Sequence, residues 1–229
     1  MRIAKMKSMH PLTEYGPQWD ISFGVTQWED SDKIDTIRDW LIKNEKRILD
    51  TVPLHHDGGT GLGEYSVTSR FGRYNLLNYQ TEQPAFADLL KFFRISYLDY
   101  VMQDNSEIRD LDIVCWFNIL RTGEHIEEHA HGAGNDAYLS GNVHLDNYVT
   151  NTYYNNVFDK SVQFIPGNYK GGSTIFPSWV PHYTDEHKED NLRVSIAFDL
   201  RLVDNEDNKS LHAIPFMNES IYNDLIKGL

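Results

Sequence analysis

The hydrophobic pattern of this chain changes its period near residue 105. Before that point, two stretches repeat apolar residues at helical spacing. From Ser31, a candidate N-cap, Ile34, Ile37, Trp40, Leu41 and Ile48 recur on one face. Asp32 near the start and Lys43, Lys46 and Arg47 near the end complement the helix dipole. A second helix is predicted over Glu82 to Asn105, with Phe86, Leu89, Leu90, Phe93, Tyr97, Tyr100 and Val101 as a broad apolar face. Residues 1–30 mix aromatics with Pro11, Gly16, Pro17 and Gly24, which predicts short strands leading into a sheet. Residues 54–81 read as a glycine-rich loop with short strands. Its His55-His56-Asp57 run is taken as ordinary loop, because adjacent residues of an extended chain point to opposite faces.

After residue 105 the period falls to two. Asp112 to Leu120 is apolar on both faces, as for a strand inside a sandwich. Ala137 to Asp146 alternates, with Tyr138, Ser140, Asn142, His144 and Asp146 on the polar face. Leu192 to Leu200 alternates likewise, with Arg193, Ser195, Ala197 and Asp199 opposite Leu192, Val194, Ile196, Phe198 and Leu200. Helices first and strands second describe an α+β, mainly β chain whose helices pack on the outside of the sheet. Residues 1–229 are expected to form one domain. Residues 1–105 supply strands and supporting helices, 106–204 a barrel core, and 205–229 a polar tail ending in a short amphipathic stretch.

Composition changes this picture in three places. Aromatics at 13% and hydrophobic residues at 40% suffice for a packed core. A net charge of −13, with 34 acidic residues against 21 basic ones, makes duplex nucleic acid a poor partner, since phosphate tracking needs a positive surface. One cysteine, Cys115, leaves no intramolecular disulfide and fits a reducing, cytoplasmic setting. No apolar run approaches the roughly 18 residues of a membrane span, and the basic N-terminus is followed by no signal-type apolar segment.

The candidate chemistry lies between residues 125 and 187, which hold six of the ten histidines. His129 and His131, at i and i+2, can present two imidazoles to one ion from an extended segment. Gly123 before them completes a Gly-x5-His-x-His pattern of cupin-type barrels. His182, 51 residues beyond His131 and after the Pro177-Ser178 turn, is the candidate third ligand. Arg193 and Ser195 share the polar face of the next strand, where a guanidinium and a hydroxyl could hold a carboxylate. An iron site followed by such an anchor is what 2-oxoglutarate requires, because its keto-acid end chelates the metal and its far carboxylate needs a fixed cation.

The runs WFN (Trp116 to Asn118), EHAH (Glu128 to His131), YLSGNVHLD (Tyr138 to Asp146), GGSTIFPSWVPH (Gly171 to His182) and LRVSIAFDL (Leu192 to Leu200) resemble a family of 2-oxoglutarate/Fe(II) oxygenases. That family occurs in phages and bacteria and is related to the prolyl hydroxylases. The resemblance covers roughly residues 112–201 and implies a double-stranded β-helix, a cupin-like jelly roll. It also implies Fe(II) as cofactor and 2-oxoglutarate as cosubstrate, decarboxylated to succinate as a second substrate is hydroxylated. By analogy with the relatives, that substrate is a peptide or protein side chain or a small metabolite, and because many relatives are dimers a homodimer is a candidate assembly.

One departure stands out. Non-haem oxygenases usually hold iron with two histidines and a carboxylate, and here His131 occupies the carboxylate's position. Asp146 and Glu127, each two residues after a histidine, remain competing ligands. Tyr138, Asn142, His144 and Trp179 are candidates for contacts to substrate. Two other classes compete: a three-histidine cupin dioxygenase, which would not need Arg193 and Ser195, and a non-catalytic jelly-roll module whose histidines are surface residues.

Overall fold

The computed structural model describes residues 1–8, 11–16, 18–132, 137–203 and 212–228. Its framework is a seven-stranded antiparallel sheet in the order β1-β2-β7-β4-β9-β3-β10. The strands are β1 (Arg2–Lys7), β2 (Asp20–Gln27), β3 (Leu111–Leu120), β4 (Leu139–His144), β7 (Gly172–Pro177), β9 (Arg193–Leu202) and β10 (Ile214–Met217). A smaller sheet, in the order β6-β5-β8, is built from β5 (Thr152–Asn155), β6 (Gln163–Phe164) and β8 (His182–Thr184). Three α-helices complete the described residues: α1 (Ser31–Thr51), α2 (Ala85–Asp104) and α3 (Glu219–Lys227).

The helices form where the 3.6-residue repeat predicts them, with corrected ends. Asp30, not Ser31, caps α1, its carboxylate accepting from the Lys33 amide at 3.2 Å. The helix stops at Val52, whose extended backbone is what the following Pro53 demands. Asn105 ends α2 in the left-handed region at φ 56°, a conformation asparagine tolerates better than most residues. Ile34, Ile37 and Leu41 of α1 and Phe86, Leu89, Phe93 and Tyr97 of α2 join one core with Ile113, Cys115, Phe117, Val194, Ile196 and Phe198.

Strand β9 is central, paired with β3 from Leu120↔Arg193 to Leu111↔Leu202 and with β4 from His144↔Ser195 to Leu139↔Leu200. Its two faces divide as the alternation predicts. Val194, Ile196, Phe198 and Leu200 enter the core shared with the helices. Arg193, Ser195, Ala197, Asp199 and Arg201 line a cavity.

Three expectations need correction. The expected N-terminal strands, β1 and β2, extend one side of the sheet, but the stretch read as tail also adds a strand, β10, which pairs with β3. Residues 54–81 contain 3-10 turns at Val67–Arg70 and Leu76–Tyr79 and no described strand. Tyr138 lies just before β4 and turns to the helices, its hydroxyl 3.0 Å from that of Tyr97.

Gly141 tests the central packing. It pairs with Phe198 on one side and Ile175 on the other, and a Cβ there would collide with the Phe198 ring and come 2.9 Å from the Thr174 carbonyl oxygen. Gly141→Ala should destabilise the fold by about 1–3 kcal/mol, since ring and backbone must both shift. Urea unfolding would read this as a lower midpoint at unchanged slope.

Candidate metal centre and anion pocket

The cavity between the two sheets has a volume of about 390 Å³ and is lined from β3, β4, β7 and β9 of the large sheet and β5 and β8 of the small one. This lies within the usual range for small-molecule sites. Residues of the 55–60 loop line it as well.

His129, His131 and His182 meet in this cavity, with one ligating nitrogen from each within 4.8 Å of the others. The i, i+2 logic holds because Ile126 to His131 runs antiparallel to β8. His129 and His182 exchange backbone hydrogen bonds of 3.1 and 2.9 Å, and the His131 amide donates to the Ser178 carbonyl at 2.9 Å. The turn in FPSWVPH, closed by the Val180 amide on the Pro177 carbonyl at 3.0 Å, brings His182 back beside the pair.

Each ring is oriented by its Nδ1. That of His129 faces the Glu127 carbonyl at 2.9 Å, that of His182 the Val180 carbonyl at 3.1 Å, and that of His131 the Asp199 carboxylate at 2.6 Å. An acceptor at Nδ1 makes that nitrogen the N–H donor, so in all three rings Nε2 keeps the lone pair for a metal. Burial pushes the His129 pKa down to about 4 and lowers that of His182 well below its ordinary value, so both are neutral ligands at neutral pH. Burial alone would raise the Asp199 carboxyl. His131, the Ser140 hydroxyl at 2.7 Å and Arg201 instead hold it below its usual value, and it stays ionised.

Neither competing carboxylate lines the cavity. Asp146 pairs with Arg38 of α1 at 2.7 Å, and exposed Glu127 does not line the cavity. His187, one of the six clustered histidines, is a structural residue bonded to Thr150 and to the Asn191 carbonyl.

Deeper in the cavity, Arg193 is 2% exposed. Its Nη2 donates to the Thr152 hydroxyl at 3.1 Å, while Nε and Nη1 have no partner among the described residues. No described carboxylate pairs with it. Burial lowers its pKa to about 10, which still leaves a cation at neutral pH. An unpaired buried ion costs several kcal/mol, roughly, even after relaxation. Ser195 and His144, opposite each other on β9 and β4, line the same chamber. Both His144 nitrogens are buried and have no partner among the described residues, and burial with the nearby Arg193 charge lowers its pKa well below the ordinary value. The chamber therefore holds a buried cation with unpartnered N–H donors and no described carboxylate paired to it, and its chemistry fits an incoming carboxylate.

Of the four residues expected to contact substrate, Asn142 and His144 line the cavity, while Tyr138 and Trp179 do not. Trp179 packs instead against the smaller core of Met6, Ile21, Phe23, Tyr154, Phe176 and Val180. The sequence reading missed the cavity's outer wall. His55 and His56 pack on Phe71, Phe71 on Trp116 and Trp116 on His131, with ring centroids 5.0–5.5 Å apart throughout. Arg201 adds a cation to this side.

The neutral histidines make the metal-free protein sensitive to acid. Between pH 6.5 and about 4 the unfolded chain binds protons that buried His129 refuses, and His144 and His182 act in the same direction. Stability therefore falls as pH drops through that window. Thermal melts of chelator-treated protein should show the decline, and His144→Asn should make it shallower.

No protein-family model matches the sequence, and no curated protein matches it significantly. Solved structures do match. The non-heme alpha-ketoglutarate-dependent carbocyclase SnoK from nogalamycin biosynthesis superposes with a TM-score of 0.53 at 10% identity, over 86% of this chain and 90% of that one. A prolyl hydroxylase from Trichoplax adhaerens, in complex with a hypoxia inducible factor peptide fragment, gives 0.51 at 9% identity, over 78% and 83%. The non-heme monooxygenase ThoJ gives 0.50 at 11% identity, over 86% and 77%. At such identities the likeness is one of fold, and it is the fold that the motifs of residues 112–201 led us to expect: the chain shares the architecture of these non-haem oxygenases.

Proposed function

We propose that this protein is a 2-oxoglutarate-dependent oxygenase that holds Fe(II) on His129, His131 and His182. The observation that carries this reading is Arg193, a buried guanidinium with two unpartnered nitrogens in the cavity that the histidines line. An entering anion would offset the cost of burying that charge. The far carboxylate of 2-oxoglutarate would take two hydrogen bonds from Arg193 and others from Ser195 and the neutral His144 imidazole. Its keto-acid end would then face the three free Nε2 atoms. We accordingly reassign His144 from substrate contact to cosubstrate anchor. A three-histidine dioxygenase acting on a thiol or diketone needs no such anchor.

The metal would supply oxygen activation coupled to decarboxylation of 2-oxoglutarate to succinate. The protein's own groups orient the cosubstrate and exclude water from the chamber. The second substrate, a peptide or protein side chain or a small metabolite, would enter along the wall of Phe71 and Trp116, with Arg201 at its side. In this reading residues 1–229 form one domain, a double-stranded β-helix with α1 and α2 on its outer face. Among the described residues no helix is long and apolar enough to cross a membrane.

Anaerobic Fe(II) and 2-oxoglutarate should together give a visible metal-to-ligand charge-transfer band, absent in His182→Ala. Arg193→Leu should weaken 2-oxoglutarate binding by roughly 30-fold or more, matching the 2–5 kcal/mol typical when one partner of a buried charge pair is removed. The same variant without ligands should be at least as stable as the parent, because it removes an unpaired buried charge. Iron binding with no band would reject 2-oxoglutarate and favour the three-histidine dioxygenase.

A further inference from the structure

The three histidines are not equivalent in what stands behind them. His129 and His182 donate to backbone carbonyls, which are neutral, whereas His131 donates to a carboxylate at 2.6 Å. Asp199 is 7% exposed, and the same oxygen that meets His131 accepts from the Ser140 hydroxyl at 2.7 Å. Ser140 is directly opposite Asp199 in the β4–β9 register, so the sheet itself fixes that contact. Among the described residues the nearest cation, Arg201, stands off at 4.0 Å from the other carboxylate oxygen, so the shorter and more buried contact is the one to His131.

We infer that Asp199 is a positioning residue that supplies the metal centre, through His131, with the negative charge that a directly bound carboxylate would otherwise give. The inference rests on the metal site proposed above. Three neutral imidazoles alone leave a divalent ion one unit more positive than two imidazoles and a carboxylate. A carboxylate accepting the Nδ1 proton polarises the ring and makes its Nε2 a stronger donor, an effect that peptide carbonyls produce more weakly. The charge missing from the ligand set is thus moved one bond network outward. The ring also becomes fixed, because Asp199 is itself held by Ser140 on a central strand.

Co(II) titration of the metal-free protein under anaerobic conditions, followed by its visible ligand-field bands, separates the outcomes. The parent should bind Co(II). Asp199→Asn should bind it about 10- to 100-fold more weakly, with shifted bands, since it keeps the shape but removes the charge. The exchange variant His131→Asp/Asp199→Asn, which moves the carboxylate onto the metal, should recover most of the lost affinity. It also decides the matter if the single variant folds poorly by circular dichroism. Unchanged Co(II) affinity in a folded Asp199→Asn protein would overturn the inference, as would failure of the exchange variant to recover binding. A parent that binds no Co(II) would instead remove the metal site itself, and the inference with it.

Discussion

The structure depends on the two-residue period of one central strand. Strand β9 is hydrogen-bonded on both sides, so its side chains can point only into the helix-packed core or into the cavity. Its even-numbered residues from Val194 to Leu200 are the apolar floor for α1 and α2. Its odd-numbered residues Arg193, Asp199 and Arg201 are three of the four charged side chains that line the cavity among the described residues. A slip of one residue against β3 or β4 would drive a guanidinium into a wall of phenylalanines. Fold and site are therefore specified by the same alternation, and the stability of one enforces the geometry of the other.

This sharing explains why the least favourable groups sit where the scaffold is strongest. Among the described residues, Arg193 is buried with two nitrogens that find no partner, and His144 with both. Neither would persist on a loop, which would simply turn outward to water. On paired neighbouring strands they have no such escape, because the backbone ladder on either side over-determines their direction. The cost is retained as binding potential, and only a ligand that brings acceptors can release it. Asp199 differs in being satisfied already, by Ser140 and His131, which marks it as part of the apparatus that orients the site.

How far the sequence could be read follows from how local each determinant was. The His129/His131 pair and the face of Arg193 and Ser195 were legible because each rests on a period of two within one segment, and His182 because a proline turn sets it apart. The helices were legible to within a few residues, and Asp30 displaced Ser31 as the cap only by one position. What escaped was decided by distant packing. The His55-His56 loop packs on Phe71, which packs on Trp116, 45 residues away in the chain, and no local pattern encodes that meeting. Strand β10 is four residues long with a proline, too short to show a period, and exists because β3 offers a free edge. Tyr138 fits the polar alternation on paper, yet it precedes the strand and follows the hydroxyl of Tyr97 instead.

The net charge of −13 is also a less direct guide than it first looks. It describes a surface, where screening within about 10 Å limits what any one carboxylate does. Inside the cavity the charged lining among the described residues comes down to Asp57, Asp199, Arg193 and Arg201. Asp57 is tied to the amides of Gly59 and Gly63 in its own loop, and Asp199 is committed to His131 and Ser140. The guanidinium of Arg193 is what remains uncompensated, and there the lower dielectric makes one charge count for more than several outside. An acidic protein can thus present a cationic interior. The charge that argues against a polyanion on the surface is compatible with a small dicarboxylate within.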